Sequence, residues 1–599
     1  MRPFLLSFFL TSLAYAHPHQ SDCRCRPHQS CWPSPKEWDR FNRSVDGNLV
    51  AVRPVADVCH DAIESEACQL VQDLSWNSTW RAAQPGAVQW QNWEAWPERG
   101  ESCYIETLNK PCGQGRISLY STIATSAANI QETVRFAREH NLRLAIKNSG
   151  HCYLGRSTAP ESLQIQTSHM KDISFVDDFT PKGAPRGRSE GSAVTIGAGV
   201  ALQELYAALG EKGRIAVAGA AHTVGAAGGY VQGGGHSFLG PWKGMASDNA
   251  LQFTVVTADG NLLVTNEYLN RDLFWALRGG GGGTFGVVVD VTLRTFDEAP
   301  VIISTLNIST PVGHPAFWDA ITEFHAHLPA LSDAGGAGYY RIFPDLPLPE
   351  ENITVSGVTL ALVFPNQTDV ARVDQLFDSL LTKLNVTSAV TTEYASDPLP
   401  DIHTLISEIL ITSDADITGG MTLVGSRMYS RGLFENGPAK LSSVLRKIRA
   451  GPYEGFTGHI VSGGAVANTH VDSALHPAWR ESLLHLTFGR GWDPETSLAE
   501  QNAIRDNVTN VEVELLRSVE GSHRMGAYLN EANAYEKDFQ SSFWGSNYNL
   551  LYKIKQRWDP TGLFITRSGV GSEDWDAEGL CRIRSHRLRD IGSDDVSEL

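Results

Sequence analysis

The chain has 599 residues, 42% of them apolar and 19% charged, and a formal net charge of -18. That length exceeds what one hydrophobic core serves, so two or three mostly folded domains are expected. The acidic balance argues against nucleic acid or an anionic membrane as partner, because the phosphate field would repel it.

The chain opens as a secretory leader: Arg2, the apolar run "FLLSFFLTSL", then "AYA", which suits removal of residues 1–16. No later apolar run approaches the ~20 residues of a membrane helix, so an exported, membrane-free protein is expected. Sequons at Asn42, Asn77, Asn307, Asn352, Asn366, Asn385 and Asn507 fit a glycosylated, secreted chain. Cys23, Cys25, Cys31, Cys59, Cys68, Cys103 and Cys112 crowd residues 17–116, which reads as a disulfide-stapled, turn-rich segment with a possible helix near 57–74. Cys581 can tie the tail, 581–599, back to the body, and Cys152 is left as the odd cysteine. These cysteines do not repeat a C-x-x-C spacing, so no metal site is expected.

From 117 the pattern becomes regular. "ISLYSTIATS" is strand-like, "AANIQETVRFAREHN" has helical spacing with Asn129 as candidate N-cap, and "LRLAIKN" is a strand, together a β-α-β unit. "SLQIQTSHM" and "SAVTIGAGV" read as strands, "ALQELYAALGEKG" as a helix closed by Gly213, and "LQFTVVTADGNLLVT" as a hairpin turning at Asp259–Gly260. Beyond 298 glycine clusters thin out and strands alternate with amphipathic helices to about 525, a second domain. Dense aromatics then return, ending in a helix broken at Pro560.

Gly281, Gly283 and Gly286 match G-x-G-x-x-G, but this loop follows a helix-like "LFWALR" and opens a β-branched run, the wrong order for a dinucleotide-binding turn. Glycine loops can still admit a flat ring or phosphate by close backbone approach. Three of them, at 147–151, 217–237 and 279–286, imply a large ligand gripped by main chain.

"IKNSGHCYLGRS", "GAGVALQEL", "TVGAAGGYVQGGGHS", "DLFWALRGGGGGTFGVV" and "YLNEAN…FWGSNYNLLYKIKQRWDPTGLF" resemble the berberine-bridge-enzyme-like, FAD-linked oxidases, whose fold is that of the vanillyl-alcohol-oxidase class, and among them the secreted fungal members that include isoamyl alcohol oxidases. The resemblance implies an α+β fold. A two-subdomain PCMH-type FAD-binding domain would span 117–298, with a substrate domain over 299–525 whose antiparallel sheet is flanked by helices. A berberine-bridge-like segment, 526–580, would return to the FAD domain. It also implies FAD bonded through a ring nitrogen of His151 to the methyl carbon of the flavin's dimethylbenzene ring. Lys147, Asn148, Ser149 and Gly150 would serve the pyrophosphate; Val224, Gly225, Gly228, Gly229, Gly233 and Gly286 would line the cofactor; and Asn547 and Tyr548 would close over it. Relatives often carry a second, cysteine link in G-x-C-x-x-V-G; here Ala221 takes that place, so a single link through His151 is expected, with His222 close enough to approach the ring. Cys152 is expected to face away from His151 by strand alternation. Valine at 224 looks permissive for O2, which favours an oxidase.

An alcohol substrate that gives up hydride must also lose a proton, so a base is required. The family keeps candidates on "AYLNEAN": Tyr528 as phenolate or Glu531 as carboxylate, with Asn530 orienting flavin or substrate. As a strand this run would turn Tyr528 and Asn530 to one face and Glu531 to the other. His236 is expected to be packed rather than reactive. The expected function is a secreted FAD-dependent oxidase that takes hydride from a C–H next to O or N of a small molecule (alcohol, sugar or secondary metabolite) and reduces O2 to H2O2. The alternatives are an FAD-dependent dehydrogenase or oxidative cyclase, and a non-catalytic flavin-fold glycoprotein.

Overall fold

The computed structural model describes residues 23–583 other than 351, 414, 522 and 523. The expected leader over 1–16 and residues 584–599 of the expected tail lie outside them.

Disulfides organise the entry segment. Cys25–Cys31, Cys59–Cys68 and Cys103–Cys112 each close a short loop, and Cys23–Cys581 joins the two ends of the described chain. Cys152 is free. The segment has little core of its own, so cross-links do what burial cannot. The helix expected near 57–74 is two, Asp57–Asp61 and Glu66–Leu74. Ser65 caps the second by accepting from the Cys68 N–H at 3.1 Å, which commits the preceding residues to non-helical backbone.

The β-α-β unit forms as expected. Tyr120–Ile123 and Arg143–Lys147 flank Ser162–Gln166 in parallel, with the helix Ala127–Glu139 between them in sequence. Its N-cap is Ser126 rather than Asn129: Ser126 is extended and accepts from the Asn129 N–H at 3.3 Å, while Asn129 reaches back to the Thr125 N–H at 3.2 Å. A second sheet of five strands runs Ile173–Val176, Ala193–Gly197, Val287–Arg294, Ala250–Val256, Leu262–Thr265 and is antiparallel throughout. Its last hairpin turns at Gly260, where φ is +78°. The helix Arg271–Leu277 precedes the glycine run and the strand Val287–Arg294 follows it, the order that ruled out a dinucleotide turn.

A third sheet has seven antiparallel strands in the order Thr391–Leu399, Val301–Pro311, Ile353–Pro365, Ala337–Leu348, Phe456–Ile460, Ser482–Gly491, Thr422–Ser430. Helices Ala316–Asp333 and Val370–Leu384 cover one face, burying Phe317, Phe324 and Phe377 against strand residues such as Tyr340 and Leu486. The returning helix Tyr548–Trp558 is locked by Lys555, whose ammonium donates at 2.6 Å to Thr284 O, Phe564 O and Asp559 Oδ2.

Lys147 departs from expectation. Instead of reaching a phosphate, its fully buried ammonium donates to Arg81 O at 3.0 Å, Ala82 O at 3.2 Å and Gln84 O. These carbonyls end the helix Ser78–Ala83, where the last turn has no internal donors. Burial pulls the Lys147 pKa down to about 7, and its N–H donors at that helix end tie the stapled segment to the first sheet. Lys147→Met is expected to cost about 2–3 kcal/mol of stability, because buried carbonyls lose a hydrogen-bond donor; chemical denaturation measures this, and the flavin content of the surviving folded protein should be unchanged.

Candidate active site

The end of the strand Arg143–Lys147, the loops around 219–229 and 282–286, and the uncovered face of the seven-stranded sheet enclose a cavity of about 580 Å³. Asn148, Ser149, Gly150 and His151 form one wall; Val224, Gly225, Gly228 and Gly229 face it, with Gly286 alongside. The approach is too close for side chains. A Cβ on Gly225 would run into Asn148 Oδ1, and one on Gly228 would sit 3.0 Å from Asn148 Nδ2. Gly150 has φ +85°, which a side chain would strain.

This lining suits a flat, polar cofactor. Among the described residues Asn148 Oδ1 and Gln232 Oε1 are buried in the cavity wall without a partner, and buried polar atoms without partners are rare in native structures unless a ligand meets them. Gly233 lies outside the wall; its missing side chain makes room for Asn530, whose Nδ2 would be 2.5 Å from a Cβ there. Asn547 is also away from the cavity, donating to Leu475 O at 2.9 Å, and Tyr548 donates to Glu573, so neither closes over the cofactor. Both serve the packing of the returning segment.

His151 lies in the wall with Nε2 2.6 Å from Thr223 Oγ1. Burial pushes its pKa down to about 4 against a partial opposing pull from Asp416, so the ring is neutral at physiological pH. Ala220 and Ala221 line the cavity where relatives place a thiol. His222 turns away from it, its Nδ1 2.5 Å from Asp416 Oδ1. Cys152, expected to face away, joins His151 in the wall, because residues 151 and 152 are irregular chain without strand alternation; its Sγ accepts from Arg156 Nε at 3.0 Å.

The run 528–531 is likewise not a strand. Leu529–Glu531 is a 3₁₀ turn, with three residues per turn, so Tyr528, Asn530 and Glu531 all reach the cavity. Asn530 Nδ2 donates to Gly229 O at 2.9 Å and to the Tyr528 hydroxyl at 2.8 Å, and that hydroxyl also accepts from the Gly235 N–H at 3.2 Å. Burial first, and then the Glu531 charge, push the Tyr528 pKa up, so its phenol stays protonated and a phenolate role is not supported.

Glu531 sits among imidazoles that sequence reading missed. Its Oε1 is 3.1 Å from His236 Nε2, its Oε2 3.0 Å from His485 Nε2 and 3.9 Å from His459 Nδ1. His236, expected to be only packed, lines the cavity and contacts this carboxylate. Burial alone would raise the Glu531 pKa, but the charges of His236 and His459 and the hydrogen bonds from His236 and His485 outweigh it and hold the carboxyl well below its usual value. Burial pushes His459 and His485 down, and of these two His485 stands within hydrogen-bond distance of the carboxylate. Donor atoms of His236, His459 and Glu531 lie within 4.8 Å of one another, a spacing that metal ligands also adopt, yet hydrogen bonding already accounts for the His236 contact.

The sheet places this cluster. Tyr339 pairs across from His459, and His459 from His485, so the three occupy one row of one face. Their chain neighbours Tyr340, Leu484 and Leu486 face the helices instead. Lone histidines alternating with apolar residues in "GHI" and "LHLTF" were the available signal; without the strand register nothing tied them to Glu531.

Comparison with known proteins follows the same division. The family described as FAD binding domain matches residues 120–266, and the one described as berberine and berberine like matches 527–571. An "Uncharacterized FAD-linked oxidoreductase" of Arthroderma benhamiae is 50% identical over 96% of this chain and 98% of that protein. The FAD-linked oxidoreductase malF of Malbranchea aurantiaca is 41% identical over 93% of this chain and 94% of its own. The VAO-type flavoprotein MtVAO615 of Myceliophthora thermophila C1 superposes with a TM-score of 0.83 at 31% identity, over 94% of this chain and 100% of that one. The two matched segments both border the cavity that holds His151 and Glu531, and with the full-length relatives they establish that the chain belongs to the berberine-bridge-enzyme-like FAD-linked oxidoreductases.

Proposed function

We propose that the protein is a secreted oxidase that removes hydride from a substrate C–H next to oxygen or nitrogen, with Glu531 as base and FAD held by one link through His151. The observation that carries this reading is the Glu531 carboxyl, hydrogen-bonded by His236 and His485, in the wall of the same cavity as His151. Bound FAD supplies a two-electron acceptor that dioxygen regenerates with release of hydrogen peroxide.

The chain's residues do the rest. Glu531 accepts the proton from the substrate O–H or N–H, and the N–H groups of His236 and His485 keep the carboxylate in place for it. Tyr528, protonated, offers its O–H to the substrate heteroatom, and Asn530 fixes that phenol. Asn148, Gly225 and Gly228 bind the flat cofactor, with Ser149 and Gly150 toward its phosphates. Val224 and Ala221 leave apolar room for dioxygen. The related flavin-dependent oxygenase ucdF of Aspergillus ustus, 41% identical over 91% of this chain, is consistent with oxygen use. Exposed sequons at Asn307, Asn352, Asn366, Asn385 and Asn507 and the four disulfides support export; deglycosylation with a mobility shift tests it.

A substrate screen under air, read by hydrogen peroxide, tests the oxidase reading; flavin reduction by a substrate without peroxide on admitting air would refute it. Acid precipitation should leave flavin fluorescence on the unmutated polypeptide and none on His151→Ala. With a substrate in hand, Glu531→Gln should lower kcat by about 10²–10⁴-fold, the usual weight of a positioned base. Because the folded-state pKa of Glu531 lies below the ordinary carboxyl value of 4.5, the carboxylate stabilises the fold above that pH and loses this contribution as pH falls through the folded value. The acid limb of kcat/KM due to this group is therefore expected below pH 4.5, and a limb at higher pH would assign the base elsewhere.

A further inference from the structure

His151 meets the cavity with one nitrogen already engaged. Nε2 is 2.6 Å from Thr223 Oγ1, and Thr223 is only 3% exposed. Among the described residues the hydrogen bond found for the ring is the one at Nε2, and the ring lines the cavity wall. Thr223 is itself fixed from a distant stretch of chain. Its N–H donates to Asp416 Oδ2 at 3.4 Å, Asp416 Oδ1 meets His222 Nδ1 at 2.5 Å, and the Asp416 N–H donates to Ser78 Oγ at 2.9 Å. Next to it Thr418 donates its hydroxyl to Gln89 Oε1 at 2.5 Å, and Gln89 Nε2 donates to Ser149 O at 2.9 Å, so one strap holds both sides of the histidine loop.

We propose that Thr223 is a positioning residue that holds the His151 ring for its link to the cofactor and speeds that attachment; an 8α-N1-histidyl FAD is named for the glucooligosaccharide oxidase of Acremonium strictum. Whichever way the Thr223 hydroxyl points, Nε2 is taken; with Nε2–H donating to Oγ1, the lone pair left to the cavity is that of Nδ1, and the bond to the flavin methyl carbon forms there. As that bond forms, positive charge develops on the ring and strengthens the Nε2–H···Oγ1 hydrogen bond, so Thr223 assists the attachment as well as aiming it. In balance, a methyl C–H is exchanged for a C–N bond; the methyl hydrogen and the Nε2 hydrogen pass with an electron pair to FAD, and dioxygen removes them as hydrogen peroxide. The low pKa of His151 helps by keeping the ring neutral and nucleophilic. Asp416 acts through Thr223 and His222, without touching His151.

The inference rests on the covalent link proposed above, and the test separates the two. The full chain is expressed unmutated and as Thr223→Val, Thr223→Ser and Asp416→Asn. Covalent flavin is scored by fluorescence after acid precipitation, and the attached nitrogen is identified by NMR of the isolated flavopeptide. Linkage at Nδ1, a drop of roughly tenfold or more in the rate of attachment in Thr223→Val, the worth of one hydrogen bond to a developing cation, and recovery in Thr223→Ser are the expected results. Linkage at Nε2, or attachment in Thr223→Val as fast as in the unmutated chain, overturns the inference while leaving the link itself intact. FAD that binds the unmutated protein but washes out in acid overturns the link, and the inference with it. Should Thr223→Val fail to fold, Thr223→Ala is scored in its place: slowed attachment supports the inference and unchanged attachment overturns it.

Discussion

The active site depends on how closely two stretches of main chain approach. Gly225 and Gly228 stand against Asn148 so tightly that a single methyl group at either position meets the amide. That contact brings the loop after the first sheet against the loop at the edge of the second, leaving a slot with unpaired amide oxygens along its wall. Gly282 and Gly283 continue the slot, and Lys555 holds the next residue through Thr284 O. A flat polar ring is the shape that such a slot excludes least.

At the other end the chemistry changes from backbone to side chains. The seven-stranded sheet has one greasy face and one that presents a row of Tyr339, His459 and His485, and the 3₁₀ turn at 529–531 lowers Glu531 onto that row. A carboxylate in such a place is costly unless it is hydrogen-bonded, and His236 and His485 meet that need. The result is a carboxylate held at a fixed point in the wall of the cavity that His151 also lines.

Much of this was legible in the sequence because it is local. The β-α-β unit, the hairpin at Gly260 and the unsuitability of Gly281–Gly286 for a dinucleotide turn all follow from periodicity and the order of elements. The glycine loops and His151 were visible because glycine runs and a loop histidine carry their own signal, and Ala221 was informative as an absence. What failed did so through tertiary contacts. Lys147 ends the first sheet's strand as a phosphate ligand would, but the end of the helix Ser78–Ala83, distant in sequence, offers its side-chain nitrogen three carbonyls. Asn547 lies in a motif that suggests the cofactor, yet it bonds the chain at 475. The choice between Tyr528 and Glu531 was open while 528–531 was read as a strand; a 3₁₀ turn brings both inward, and their unlike surroundings then separate them. His459 and His485 are far apart in sequence, and only strand register makes them neighbours.

The bridge between Cys23 and Cys581 turns almost the whole described polypeptide into a covalent ring. One proteolytic cut at any exposed loop between those positions would open the ring without releasing a fragment, so the pieces carrying His151 and Glu531 stay joined. Tolerance to a first nick is built into the way the ends are fastened.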